Sequence, residues 1–194
     1  IFICIFLFLK NLNFFYNNFK NIKFIIFFII NTIFFILLAL NPDLGWDGLM
    51  NWYPKAYFFF NNQPITSLND LPRSDYPHLG SYIWSLGWYF NPLKSEYFGR
   101  LIYIFIYLSS IFLFFDLVKK KLNIKILIIF LLIILTINFN LFKGYQEHLI
   151  FSLLCFFMFI YNTEKKLDIF LLYSLLIINS LIWIKNEAII FIIP

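Results

Sequence analysis

The sequence predicts an all-α fold: a polytopic transmembrane helical bundle with a large ordered outer loop that contains a short interfacial helix. Two observations support this class. Of the 194 residues, 62% are hydrophobic and 13% are charged, with a mean hydropathy of +0.82. That composition is too apolar to be buried inside a water-soluble domain of this size. The apolar residues also form long blocks, and a helix satisfies its own backbone hydrogen bonds in lipid.

Seven apolar blocks divide the chain, and five of them are predicted to span the membrane completely, because about 20 helical residues cross a bilayer. The first and last blocks are predicted to be partial spans. Since the chain begins without Met and stops within an apolar block, we expect a fragment that forms one transmembrane domain over residues 1–194. In order, the blocks are Ile1–Leu9, Ile22–Leu40, Leu101–Val118, Ile124–Phe142, Leu149–Tyr161, Ile169–Ile184 and Ala188–Pro194.

The charged residues predict the orientation of these spans. Lysines cluster in three connections, residues 10–23, 119–125 and 165–166, which alternating spans place on one side. The positive-inside rule makes that side cytoplasmic. Seven of the ten carboxylates then face outward, and we expect a multi-pass protein of a bacterial inner membrane with its site facing the periplasm. The basic residues are scattered rather than gathered on one face, so nucleic acid is not an expected partner.

One connection differs from the others. Residues 41–99 hold six of the seven prolines, five of the six glycines and four of the five tryptophans. This composition predicts an ordered first extracytoplasmic loop rather than a slack tether. Within it, Leu79–Phe90 is predicted to be a short helix lying flat at the outer surface. Its tyrosines and tryptophans suggest stacking on sugar rings or, as we favour, an aromatic belt at the membrane surface.

The sharpest candidate for chemistry is the passage NPDLGWDGLMNWYPKA at residues 41–56, which contains Asp43, Asp47 and Lys55. A carboxylate at the membrane boundary is poorly solvated, which raises its basicity and suits a general base acting on a hydroxyl. The alternative is that Asp43 and Asp47 only cap a helix start while the nearby tryptophans anchor the interface. We favour a functional role for Asp47.

Two further outer turns carry acid and base together. FKGYQEH places Lys143, Glu147 and His148 between two spans, and WIKNEA places Lys185 and Glu187 after another. The charged residues of each turn on its own are explained by the position of the turn among the lipid headgroups. Their coincidence at one end of the bundle predicts a site built on several helix termini.

His78, in DYPHLG, is a further candidate ligand for a substrate phosphate or a metal. A single histidine beside a proline turn is more often an ordinary surface residue. No zinc-spaced set of cysteine and histidine occurs in the sequence, and no metal ligands are assigned.

Four motifs in order, WDGLMNWYPKA, YPHLG, GYQEH and KNEA, resemble membrane glycosyltransferases of the GT-C superfamily. The likeness covers nearly the whole chain and is closest to bacterial members related to the dolichyl-phosphate-mannose protein mannosyltransferases and the aminoarabinose lipid A transferases. Gln146, Glu147 and Ala188 depart from the residues that related sequences often show.

The resemblance implies a lipid-linked sugar donor, carried on a polyprenyl phosphate, and an acidic catalytic residue in the first outer loop. Asp47 best fits that position, with Asp43 next. One base would serve the acceptor hydroxyl and cations would hold the departing phosphate. We favour Lys185 for the phosphate, and the other candidate substrate-binding residues are Lys55, Arg73, His78, Lys143, Glu147, His148 and Glu187. The implied reaction inverts the anomeric carbon; a divalent metal is compatible with it but not required, and the sequence does not reveal the acceptor.

Other classes of membrane protein are alternatives. A transporter or flippase usually places ionisable groups near mid-membrane, whereas the five predicted complete spans contain no charged side chain in their interiors. An O-antigen ligase or polymerase would also transfer lipid-linked sugars at the outer face. A purely structural membrane subunit would leave the ordered loop without a purpose.

Overall fold

The computed structural model describes residues 22–71, 73–117, 126, 132 and 141–191. Every regular element within these residues is a helix, and none of them forms a strand, which confirms the all-α prediction. The predicted partial span Ile1–Leu9 lies outside the described residues, as does most of the predicted span Ile124–Phe142.

Six α-helices are described. They are α1 (Ile22–Leu40), α2 (Tyr53–Phe60), α3 (Leu79–Phe90), α4 (Tyr97–Leu117), α5 (Glu147–Thr163) and α6 (Leu167–Ile184); a π-helical turn covers Gly48–Trp52, and 3₁₀ helices cover Ile65–Asp70, Leu141–Lys143 and Asn186–Phe191. Two of the apolar blocks coincide with α1 and α6 or nearly so, and α3 has the bounds that the sequence predicts.

Two of these helices are long and apolar enough to cross a membrane: the Tyr97–Phe114 part of α4, and α6. Helices α1 and α5 are also apolar, but their apolar segments are shorter than those of α4 and α6. The last apolar block, predicted to begin another span, instead starts as a 3₁₀ helix with Ala188 buried.

The helices pack in chain order around α4, which contacts α1, α3 and α5, while α5 also packs on α6. Apolar residues one turn apart make these contacts possible, because side chains at i and i+4 lie on one helix face. Phe34 and Leu38 of α1, for example, are buried against Ile104 and Leu108 of α4.

The segment between α1 and α4 is folded against the helices, as its composition predicts. Trp52, Trp84 and Trp88 are all buried, and the Trp84 indole nitrogen donates to the Glu96 carbonyl oxygen at 3.0 Å. The interpretation of Trp84 and Trp88 as a membrane-surface belt is therefore wrong. Both side chains face the protein core, because α3 presents that side to α2 and α4.

Candidate functional site

Two glycines allow the first part of the loop to lie directly on the turn before α5. A Cβ on Gly48 would lie 2.2 Å from the carbonyl oxygen of Lys143, and one on Gly45 would meet the ring of Tyr145 at 2.5 Å. The Gly45 amide donates to the same Lys143 carbonyl at 2.9 Å. This close backbone approach places Asp47, between the two glycines, beside the start of α5.

Gln146 joins this turn to two other helices. In the amide orientation that satisfies both partners, its Nε2 donates to the Ile184 carbonyl oxygen at 2.9 Å and its Oε1 accepts from the Ser81 amide at 3.2 Å. The first partner belongs to the last turn of α6 and the second to the first turn of α3, where backbone groups lack helical partners. Gln146 thus fixes the α6 end, and with it Lys185, next to α5. Gly80 leaves room for it, since a Cβ there would lie 2.3 Å from the amide.

At this end of the bundle Glu147 and Lys185 form an ion pair, and two further predicted site residues, Asp47 and Glu187, act on the charge of Lys185; we call these four side chains the carboxylate–lysine cluster. The Lys185 Nζ donates to the Glu147 Oε1 at 2.6 Å. Asp47 and Glu187 are near enough to act on the charge of Lys185. Asn51 donates to the Asp47 Oδ1 at 3.2 Å and holds that carboxylate from its own helical turn.

The electrostatics of the cluster follow from this geometry. Burial opposes ionisation of Glu147, but the hydrogen bond and the charge of Lys185 lower the pKa of its carboxyl. Burial likewise opposes ionisation of Lys185, but its pKa is raised, mainly by Glu147 and further by the other two carboxylates. Both partners are therefore charged at neutral pH.

The loop segment before α3 extends the cluster through Tyr76, which the sequence did not single out. The Tyr76 hydroxyl donates to the Glu187 Oε1 at 3.1 Å. The Arg73 guanidinium lies over the Tyr76 ring, 5.5 Å from its centre. A tyrosine before a proline turn gives no sequence signal of a partner 111 residues away.

Lys55 is fully buried, and the structure shows it supporting this same segment. Its Nζ donates to the carbonyl oxygens of Arg73 and Tyr76, the latter at 2.9 Å. Burial lowers the pKa of Lys55 to about 8, and the charge of Asp75 partly opposes that effect. The ammonium therefore holds the loop through backbone carbonyls instead of lying open beside Lys185.

The two histidine rings each pack against an aromatic side chain. His78 precedes α3, where its ring contacts Phe59 edge-on, and burial together with the charge of Lys55 lowers its pKa. His148 is buried, and its ring meets that of Tyr107 in α4 at 5.5 Å. In the described part of the chain, the Nδ1 atoms of both rings have no hydrogen-bond partner.

Asp43 and Lys143 are also not drawn into the cluster. Asp43 is exposed, and no side-chain hydrogen bond or ion pair of Asp43 or Lys143 is seen among the described residues. Lys143 contributes its backbone carbonyl to the loop contact.

Sequence reasoning also missed the buried Arg100, which pairs with Glu96 through two nitrogens and donates to the Phe142 carbonyl oxygen at 2.8 Å. Its i, i+4 spacing from Glu96, just before the predicted span Leu101–Val118, was the available signal.

The carboxylates of the cluster do not form a preassembled cation site. Within residues 22–71, 73–117 and 141–191, no group of three or more His, Cys, Asp or Glu side chains is arranged to hold a metal ion. The chemistry available on the described side chains is that of a carboxylate base beside an ammonium group.

The described residues define an all-helical protein with two helices long and apolar enough to cross a membrane, and with a carboxylate–lysine cluster at one end of its bundle. No protein-family model, functionally characterised protein or solved structure matches the chain. The resemblance to GT-C glycosyltransferases therefore stays a prediction from the four motifs.

Proposed function

We propose that the protein is a polytopic membrane glycosyltransferase that moves a sugar from a polyprenyl-phosphate-linked donor to an acceptor hydroxyl at the periplasmic face of a bacterial inner membrane. The observation that carries the proposal is the ion pair of Glu147 and Lys185, whose charge Asp47 from a third segment also influences. A base for a hydroxyl and a cation for a departing phosphate are the two groups this reaction needs.

Membrane insertion is supported by the surfaces of the helices. Helix α6 exposes Leu171, Leu172, Leu175 and Leu176, and α1 exposes a further row of Phe and Ile side chains. Apolar faces of this size on a water-soluble monomer would be unusual, and lipid is the solvent that accepts them. The carboxylate–lysine cluster lies at the end of α6, where such a span would leave the hydrocarbon.

The chemistry assigns one step to each group. Asp47 accepts the proton of the acceptor hydroxyl as its oxygen bonds to the anomeric carbon. The bond between that carbon and the phosphate oxygen breaks, and Lys185 stabilises the negative charge of the leaving phosphate. Attack opposite to the leaving group inverts the anomeric configuration, and retention in the product would contradict this mechanism.

The test is transfer of a radiolabelled sugar from a polyprenyl-phosphate donor in membranes containing the full-length protein. Removing a general base costs about 10²–10⁴-fold in rate, so Asp47→Asn should lose transfer to that extent. Asp168→Asn is the matched control, because Asp168 is exposed at the opposite end of α6. Unchanged transfer in Asp47→Asn would overturn the assignment of the base.

A solute-flux measurement on the reconstituted protein separates this proposal from a transporter. Substrate-dependent flux without sugar transfer would replace the glycosyltransferase with a transporter. Transfer without flux is the expected result.

A further inference from the structure

We propose that Glu147 competes with the donor phosphate for Lys185, so that the structure shows a self-blocked state of the phosphate site; this inference rests on the proposed function. A carboxylate oxygen and a phosphate oxygen are equivalent acceptors for an ammonium group. The Glu147 Oε1 already accepts a hydrogen bond from the Lys185 Nζ at 2.6 Å. The donor phosphate therefore competes with Glu147 for the charge of that ammonium.

The balance of charge favours displacement of Glu147 by the phosphate. Lys185 carries one positive charge among three carboxylates, which leaves these four side chains with a net charge of −2. A lipid phosphodiester adds another negative charge at the same place. Like charges in a partly buried site repel strongly, so the phosphate binds well only when one carboxylate withdraws from the ammonium.

The other contacts of the cluster identify which carboxylate withdraws. Asp47 is held by Asn51 and Glu187 by Tyr76. Glu147 has Lys185 as its one side-chain partner in the described part of the chain, and its own side chain is 52% exposed. Lys185 is only 16% exposed, so its ammonium stays in place while Glu147 turns into solvent.

This arrangement makes Glu147 a determinant of donor affinity rather than a donor ligand. Its removal should tighten phosphate binding, the opposite of what loss of a binding residue does. The gain should also depend on Lys185, because that is the group for which the two anions compete.

The experiment measures binding of a short-chain polyprenyl phosphate, without sugar, to the full-length protein in lipid nanodiscs. Glu147→Gln is expected to bind about tenfold more tightly than wild type, the effect of removing one charged hydrogen-bond competitor. The double variant Glu147→Gln/Lys185→Met should show no gain over Lys185→Met. Glu164→Gln, at the other end of α5, is the matched control and should bind as wild type does.

Equal or weaker binding in Glu147→Gln overturns the proposal, as does a gain that persists without Lys185. Glu147→Ala provides a second variant should the glutamine fold poorly. Inorganic phosphate serves as a second probe. If it fails to displace the polyprenyl phosphate at equal concentration, the ligand of the site is a lipid headgroup. If it displaces the polyprenyl phosphate equally well, the ligand is free phosphate.

Sugar transfer is measured separately so that the two proposals fail independently. Transfer in wild type without an affinity gain in Glu147→Gln rejects the competition and leaves the glycosyltransferase proposal intact. An affinity gain in a protein that transfers no sugar rejects the glycosyltransferase proposal and retains the phosphate competition.

Discussion

Replacing Gln146 with leucine should destabilise the protein strongly, because one side chain satisfies two helix ends. Its amide serves the Ser81 N–H at the start of α3 and the Ile184 carbonyl at the end of α6. Leucine has a similar size and can do neither. Gln146 and Ser81 are both completely buried and Ile184 is nearly so, which prevents water from taking over these bonds.

The magnitude follows from the two groups left unsatisfied. Each buried polar group without a partner costs about 1–3 kcal/mol, so Gln146→Leu should lower the free energy of unfolding by about 2–6 kcal/mol. Gln146→Glu should also be destabilising, because a carboxylate can accept from Ser81 but cannot donate to Ile184. Both changes loosen the contact that holds Lys185 beside α5.

The assay is unfolding of the purified protein in mixed micelles with increasing SDS, followed by tryptophan fluorescence. Gln63→Leu makes the same chemical change at an exposed loop position and is the matched control. A Gln146→Leu protein within about 0.5 kcal/mol of wild type, the range of ordinary surface substitutions, would refute the double-capping role.

Three further perturbations address the loop and the ion pair. Gly48→Ala should lower the free energy of unfolding by about 1–3 kcal/mol, because its Cβ would lie 2.2 Å from the Lys143 carbonyl oxygen; an unchanged midpoint of SDS unfolding would contradict this. Lys55→Met should leave the backbone carbonyls of Arg73 and Tyr76 without their donor, so limited proteolysis should cut residues 73–76 faster than in wild type or in the control Lys165→Met. Acidification below pH 4.5 should weaken the pair of Glu147 and Lys185. A carboxyl with a lowered pKa in the folded state stabilises the protein above its ordinary pKa of 4.5, and the contribution is lost as the pH falls through the folded value. The acid loss of thermal stability should therefore be smaller in Glu147→Gln, and identical pH profiles would argue against it.

The helices were largely predictable from local signals. The apolar block Ile22–Leu40 predicts α1 with the observed ends, the tryptophan spacing and Pro92 predict the ends of α3, and α6 begins two residues before its block. Helix α4 starts at Tyr97, four residues before the apolar block. The pair of Glu96 and the buried Arg100 stabilises that first turn, and a charged pair is not part of an apolar pattern.

The candidate site was predictable only in part. The motifs identified Glu147 and Lys185, which the structure pairs, and Asp47, which acts on the charge of Lys185. The motifs did not show that Lys55 differs from the other candidate lysines, although its side chain is fully buried. Charge and position along the chain are the same for an exposed and a buried lysine in a loop, so only packing separates the two.

The sequence by itself determined the helical class, the long apolar blocks and the segments rich in charge, because these depend on composition and on runs of neighbouring residues. The tertiary structure decided which charges meet. Lys185 and Glu147 are 38 residues apart, and Tyr76 and Glu187 are 111 apart. Such pairs form because Gly48 permits close backbone contact and Gln146 joins two helix ends, and these are properties of packing in three dimensions.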